Sequence, residues 1–92
     1  MARVVVTLKI MPESPDTDLN VIEQRAKEKI LEFSENTEMR AAQEPIAFGL
    51  KALDIIFVRD EDKGSTEELE KSIGDIHGVE SVEVTDVRRA IG

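Results

Sequence analysis

The chain has 92 residues, 12 of them Lys or Arg and 20 Asp or Glu, which gives a formal charge of -8 at pH 7. A domain of this length buries roughly 60 to 70 per cent of its unfolded surface, enough for one modest core and too little for a separate catalytic domain or a large enclosed active site. The charge repels nucleic acid with no Lys/Arg run to overcome it locally, and the absence of Cys excludes disulfides, thiolate metal sites and cysteine nucleophiles.

With 40% hydrophobic and 35% charged residues, the apolar positions come in periodic blocks, the pattern of a chain that folds. From Arg3 to Met11 the alternation of Val4, Val6, Leu8 and Ile10 against Arg3, Val5, Thr7 and Lys9 predicts a half-buried strand. Pro12 and Pro15 end it near Met11. From Asp18 the period changes, and Leu19, Ile22, Ala26, Ile30 and Phe33 share one stripe of a helix of about four turns. Asp16 or Asp18 can accept from the free N–H groups of its first turn.

Asn36 is the expected turn before two extended runs, about Glu38 to Ile46 and Leu50 to Val58, separated by Gly49. The second run is apolar on most of both faces, with Leu53, Ile55 and Phe57 on one side, and reads as a central strand. Pro45 demotes the first to an edge strand. After the polar loop Asp60 to Gly64, Ser65 and Glu68 have the spacing of a capping box, which starts the second helix at Ser65. Leu69, Ile73 and Ile76 form its buried stripe, with Gly78 as its left-handed cap and His77 at the negative end of its dipole. Val79, Val82 and Val84 begin a last strand that runs into Arg88 and Arg89. The order β-α-β-β-α-β with right-handed crossovers predicts an α+β, ferredoxin-like sandwich filling residues 1–92 as one domain: a four-stranded antiparallel sheet with both helices on one face.

Catalytic constellations are absent from the pattern. Asp60, Asp62 and Gly64 fail the spacing of a calcium loop, because its glycine belongs at the sixth position and a Glu at the twelfth, where Lys71 stands. The single His77 has no companion ligand, so neither metal nor cofactor is expected. RNA recognition on an open sheet needs stacking aromatics, and the chain has three Phe, of which Phe57 belongs to the core face. A regulatory fold of this class that senses a small molecule and dimerises through its sheet stays open on pattern alone. The segment Glu44-Pro45-Ile46-Ala47-Phe48-Gly49-Leu50 joins a proline, an aromatic and a glycine at a hairpin tip, where Phe48 is either core or an interface anchor. Arg88 and Arg89 are either a frayed tail or a contact for an anionic surface. No segment approaches the roughly 20 apolar residues that span a bilayer, and a cytoplasmic protein without membrane contact is expected.

MPESPDTDL after the first strand, EPIAFGLKAL at the hairpin and VEVTDVRR at the end resemble the archaeal translation elongation factor 1 beta family over nearly the whole chain. That family is similar to the C-terminal exchange domain of the eukaryotic beta subunit, which shares the fold derived above. The resemblance implies a guanine nucleotide exchange factor that acts by binding rather than covalent chemistry. It implies as partner the elongation factor 1 alpha GTPase, GDP-bound or nucleotide-free, and the chain itself is expected to be a monomeric or weakly associated domain. By the same resemblance Ile46, Phe48 and Gly49 belong to the hairpin that docks on the second domain of the GTPase, and Thr85 and Asp86 match the Thr-Asp of the last strand. Those relatives carry a lysine next to the chain end that enters the magnesium and phosphate region, whereas the sequence here reads Arg88-Arg89-Ala90-Ile91-Gly92. Either Arg88 or Arg89 does similar work from a few residues earlier, or exchange relies on moving the switch segments alone.

Overall fold

The computed structural model describes residues 3–34, 38–60 and 66–89. In chain order these form β1 (Arg3–Pro12), α1 (Leu19–Ser34), β2 (Met39–Pro45), β3 (Lys51–Asp60), α2 (Glu67–Gly74) and β4 (Val79–Arg89). The described strands make one four-stranded sheet in the order β2-β3-β1-β4, with every neighbouring pair antiparallel. This is the expected ferredoxin-like α+β architecture, with β3 central and the proline-bearing β2 at an edge.

The alternation in β1 does what its period requires. Val6, Leu8 and Ile10 are buried and share the helix-side face with Leu53, Ile55 and Phe57 of β3. Leu19, Ile22, Ala26 and Ile30 of α1 close over them with Leu69 and Ile73 of α2. The two helices are also joined by the Lys29 ammonium, which donates to the Ser72 hydroxyl at 3.1 Å. Of the two candidate caps for α1, Asp18 is the one used, its carboxylate accepting from the Asn20 amide at 3.0 Å.

The structure departs from the pattern in α2. This helix begins at Glu67 rather than Ser65, and the Thr66 hydroxyl donates to the Glu70 carboxylate at 2.9 Å instead of capping a backbone amide. The turn expected at Asn36, the loop Glu61 to Gly64 and the Ser65 cap lie outside the described residues. The helix also ends earlier, at Gly74. Ile76 keeps the helical spacing and remains buried, but it lies in the following turn, where its amide donates to the Ile73 carbonyl at 3.0 Å. Gly78 is left-handed, with φ 94°, yet it closes that turn rather than the helix, and His77 is exposed there, beyond the helix end. Gly78 is needed because a Cβ would sit 2.9 Å from Thr17 Cγ2, and its carbonyl accepts from the Glu13 amide at 2.9 Å. The α2–β4 turn thereby holds the Glu13 end of the loop that follows β1.

Strand β1 runs one residue further than the proline signal suggested. Pro12 pairs opposite Val79 across an irregularity in β4, a place where its missing N–H is tolerated. Arg59, which charge alone would put at the surface, is only 6% exposed and lies with its guanidinium 5.2 Å from the centre of the Phe33 ring.

Candidate protein-docking site

The six residues singled out from the sequence fall into two groups at opposite ends of the sheet. Ile46, Phe48 and Gly49 occupy the β2–β3 tip, beyond the Pro45–Lys51 pair. Asp86, Arg88 and Arg89 lie on the last residues of β4, paired with Thr7, Val5 and Val4 of β1. Counting residues along β1 and β3 at about 3.3 Å each separates the groups by roughly 30 Å, most of the 42 Å length of the molecule. The hydrogen-bonded strands β1 and β3 run between them.

At the first end, Phe48 is 93% exposed, which excludes the core reading of this residue. Ile46 beside it is also partly exposed, so the tip carries an apolar surface. The tip is held short by two backbone bonds: the Leu50 amide donates to the Ala47 carbonyl at 3.2 Å, and the Ile46 amide donates to the Leu50 carbonyl at 2.8 Å. The post-β1 loop comes alongside, and together they line a cleft of about 250 Å³ that includes Pro15, Thr17, Gln43 and Gly49. That loop is internally satisfied, with the Thr17 amide donating to the Ser14 carbonyl at 3.2 Å and the Asp16 amide to the Ser14 hydroxyl at 3.3 Å. Two segments remote in sequence, MPESPDTDL and EPIAFGLKAL, thus build one end of the molecule.

At the other end, the Arg88 Nε–H donates to Asp86 Oδ2 at 2.9 Å, an ion pair largely in solvent. A β-bulge decides which way these side chains face. Leu8 pairs with Val84 and Thr7 with Asp86, so Thr85 is an extra residue in β4. The insertion moves Asp86 and Arg88 onto the open face of the sheet, beside Thr7 and Val5, and leaves Arg89 on the helix-side face opposite Val4. Sequence reading missed the bulge, although a signal was present: Val82, Val84 and Val87 are spaced by two and then by three.

Between the two ends the open face carries a shallow groove of about 470 Å³, lined among others by Lys9, Arg40, Glu44, Asp54 and Ile56. No aromatic stands on it, since Phe33 and Phe57 pack on the helix side and Phe48 is at the tip. Asp54 is opposite Lys9 on β1 and Ala42 on β2, with Glu44 two residues further along β2 on the same face. Partial burial, a hydrogen bond with Glu44 and the charge of Glu44 push the Asp54 carboxyl above its usual range, and Lys9 opposes this without reversing it. The folded state therefore holds this proton more tightly than the unfolded chain does. Its contribution is fully present below the ordinary aspartate value of about 3.9 and is lost as pH rises through the raised one. Asp54→Asn is expected to melt above the parent protein at pH 7, with the advantage shrinking as the pH falls toward 4, about the ordinary aspartate value. Melting curves across that range check it, and a gain that persists unchanged at the acid end would place its origin elsewhere.

Among the described residues no three His, Asp or Glu side chains converge on a metal position, and no helix is long and apolar enough to cross a membrane. The candidate residues stand at two exposed ends of one sheet. Residues 5–90 match the EF-1 guanine nucleotide exchange domain family. The chain belongs to that family. It is 48% identical to the elongation factor 1-beta of Methanothermobacter thermautotrophicus over 90 residues, covering 97% of this chain and 98% of the relative. It is 47% identical to that of Methanobrevibacter smithii, again over 97% of this chain and 98% of the relative, and 41% identical to that of Aeropyrum pernix at the same coverage. Membership in the exchange-domain family gives the chain a guanine nucleotide exchange role in translation elongation.

Proposed function

We propose that this chain, as a single monomeric exchange domain, promotes GDP release and GTP loading on elongation factor 1 alpha in the cytoplasm. The family match over residues 5–90 carries the reading. The two-ended geometry fits it, because an exchange factor must hold its GTPase at one place while disturbing the nucleotide at another. In this reading Ile46 and Phe48 dock the hairpin on the GTPase, and Asp86, Arg88 and Arg89 act toward the magnesium and phosphate region.

Exchange of this kind needs no covalent step. Energy gained by docking is used to weaken nucleotide binding, and the coupling is reciprocal, so the nucleotide weakens the factor by an equal ratio. A thousandfold acceleration achieved wholly through affinity corresponds to about 4 kcal/mol of coupling, within reach of a few interface anchors. Arginines suit the second end because the planar guanidinium matches carboxylate and phosphate oxygens and stays charged.

The direct experiment loads elongation factor 1 alpha with fluorescent GDP and follows its release while this protein is titrated in. Release is expected to accelerate and then saturate. Release that proceeds at its spontaneous rate throughout the titration would reject the reading.

A further inference from the structure

Among the described residues with a side chain, Phe48 alone has a left-handed backbone, with φ 61° and ψ 31°. Gly49 follows with φ 76°. With the Leu50 amide bonded to the Ala47 carbonyl, Ala47–Leu50 is a two-residue turn whose central residues are both left-handed, the hand that matches the twist of a hairpin. The second bond, from the Ile46 amide to the Leu50 carbonyl, leaves one extra residue on the incoming strand. Asn, Asp or Gly is the usual choice at the first central position of such a turn. A bulky aromatic is unfavourable there, and the Phe48 ring is too exposed for burial to offset it. Strained residues of this sort persist where the surroundings over-determine them, and they collect at functional sites.

What over-determines Phe48 is its neighbour. A Cβ built on Gly49 would meet nothing within 4 Å, so space is no constraint at this position and the backbone conformation is. Pro45, with its own φ fixed, forms the last strand pair with Lys51, so the turn itself spans Ile46 to Leu50. We propose that Gly49 is a positioning residue: its left-handed conformation locks the turn that holds the Phe48 ring clear of the sheet, presenting the aromatic on a backbone that is already ordered. The inference rests on the docking role proposed above for Phe48. Its physical content is that an anchor ordered in advance loses less freedom on binding than one that must be ordered by the partner.

Four variants test it: Gly49→Asn, Gly49→Val, Phe48→Ala and the double variant Phe48→Ala/Gly49→Val. The readout is the concentration of factor giving half-maximal acceleration of GDP release from elongation factor 1 alpha, with a melting curve for each protein. Asparagine tolerates the left-handed region, so Gly49→Asn is expected to stay within about twofold of the parent, whereas valine cannot hold it and should raise the half-maximal concentration about tenfold. In the Phe48→Ala background the valine change should add less than about twofold, because Gly49 acts through the ring that is no longer there. Gly49→Ala, which also disfavours positive φ with a single added carbon, gives the same comparison if the valine protein melts near the assay temperature.

A valine variant indistinguishable from the parent, with Phe48→Ala impaired, would overturn the positioning role and leave the docking reading standing. An undiminished valine penalty in the Phe48→Ala background would overturn it too, by showing that the loss is structural. If Phe48→Ala has no effect, the docking reading fails and this inference with it.

Discussion

Phe48→Ala will weaken binding to elongation factor 1 alpha about thirtyfold or more, the loss of an interface anchor worth about 2 kcal/mol, and will leave the fold as stable as before. The two halves of that expectation come from one number: at 93% exposure the ring has almost no core contacts to lose. Truncating a buried Phe costs about 3–5 kcal/mol, whereas a surface substitution usually stays within about 0.5 kcal/mol. Phe48→Asn sharpens the test, because Asn accepts the left-handed backbone that strains Phe. Relief of about 0.5 kcal/mol raises the melting temperature of a domain this size by about 2–4 °C, so this variant should melt at or above the parent while binding as poorly as the alanine protein. Calorimetric melts and titration against the nucleotide-free GTPase measure the two quantities separately. A melting point lowered by many degrees would place Phe48 in the core, and unchanged affinity would remove it from the interface.

The element order was legible because each periodicity is set by local geometry. Alternation from Val4 to Ile10 and the three-and-four spacing from Leu19 to Ile30 each admit one element type, and Pro45 marks an edge by lacking a donor. What the pattern could not carry is pairing. The bulge at Thr85 exists only relative to β1, and it reverses the face on which Asp86 and Arg88 are displayed. Ile76 shows a different blindness: a buried residue three positions after Ile73 looks helical whether the chain continues the helix or tightens into a turn. Arg59 reads as surface because it opens the charged stretch Arg59 to Lys63, and its partner Phe33 is 26 positions away.

The candidate site divides along the same line. That Phe48 sits at a tip followed from proline and glycine flanking it, but composition left core and interface equally open until the exposure of the ring was seen. That the MPESPDTDL loop lies against this tip, while Arg88 stands at the far end of β1, depends on sheet order and on the Gly78 contact with the loop. None of these is a property of any single segment.

The second large effect is expected at the end of β4. Changing Arg88 and Arg89 together to Ala should slow factor-stimulated GDP release about tenfold or more, while affinity for the nucleotide-free GTPase changes less than about threefold, because charges aimed at the phosphate region act only when nucleotide is present. The structure adds a distinction within the pair. The two side chains lie on opposite faces of the sheet, Arg88 with Val5 on the open face and Arg89 with Val4 on the helix side, so one flat partner surface cannot engage both alike. The single variants should therefore be unequal, and Arg88→Ala is expected to carry most of the effect. Its ion pair with Asp86 is no obstacle, since the Arg88 side chain is 78% exposed and exposed pairs are worth about 0–1 kcal/mol, less than a bidentate contact with phosphate or a buried carboxylate. Stimulated release that is unaffected by the double change would move the work of exchange to the hairpin and the open sheet face. Equal losses in release and in nucleotide-free binding would instead make the arginines docking contacts, with no separate action on the nucleotide.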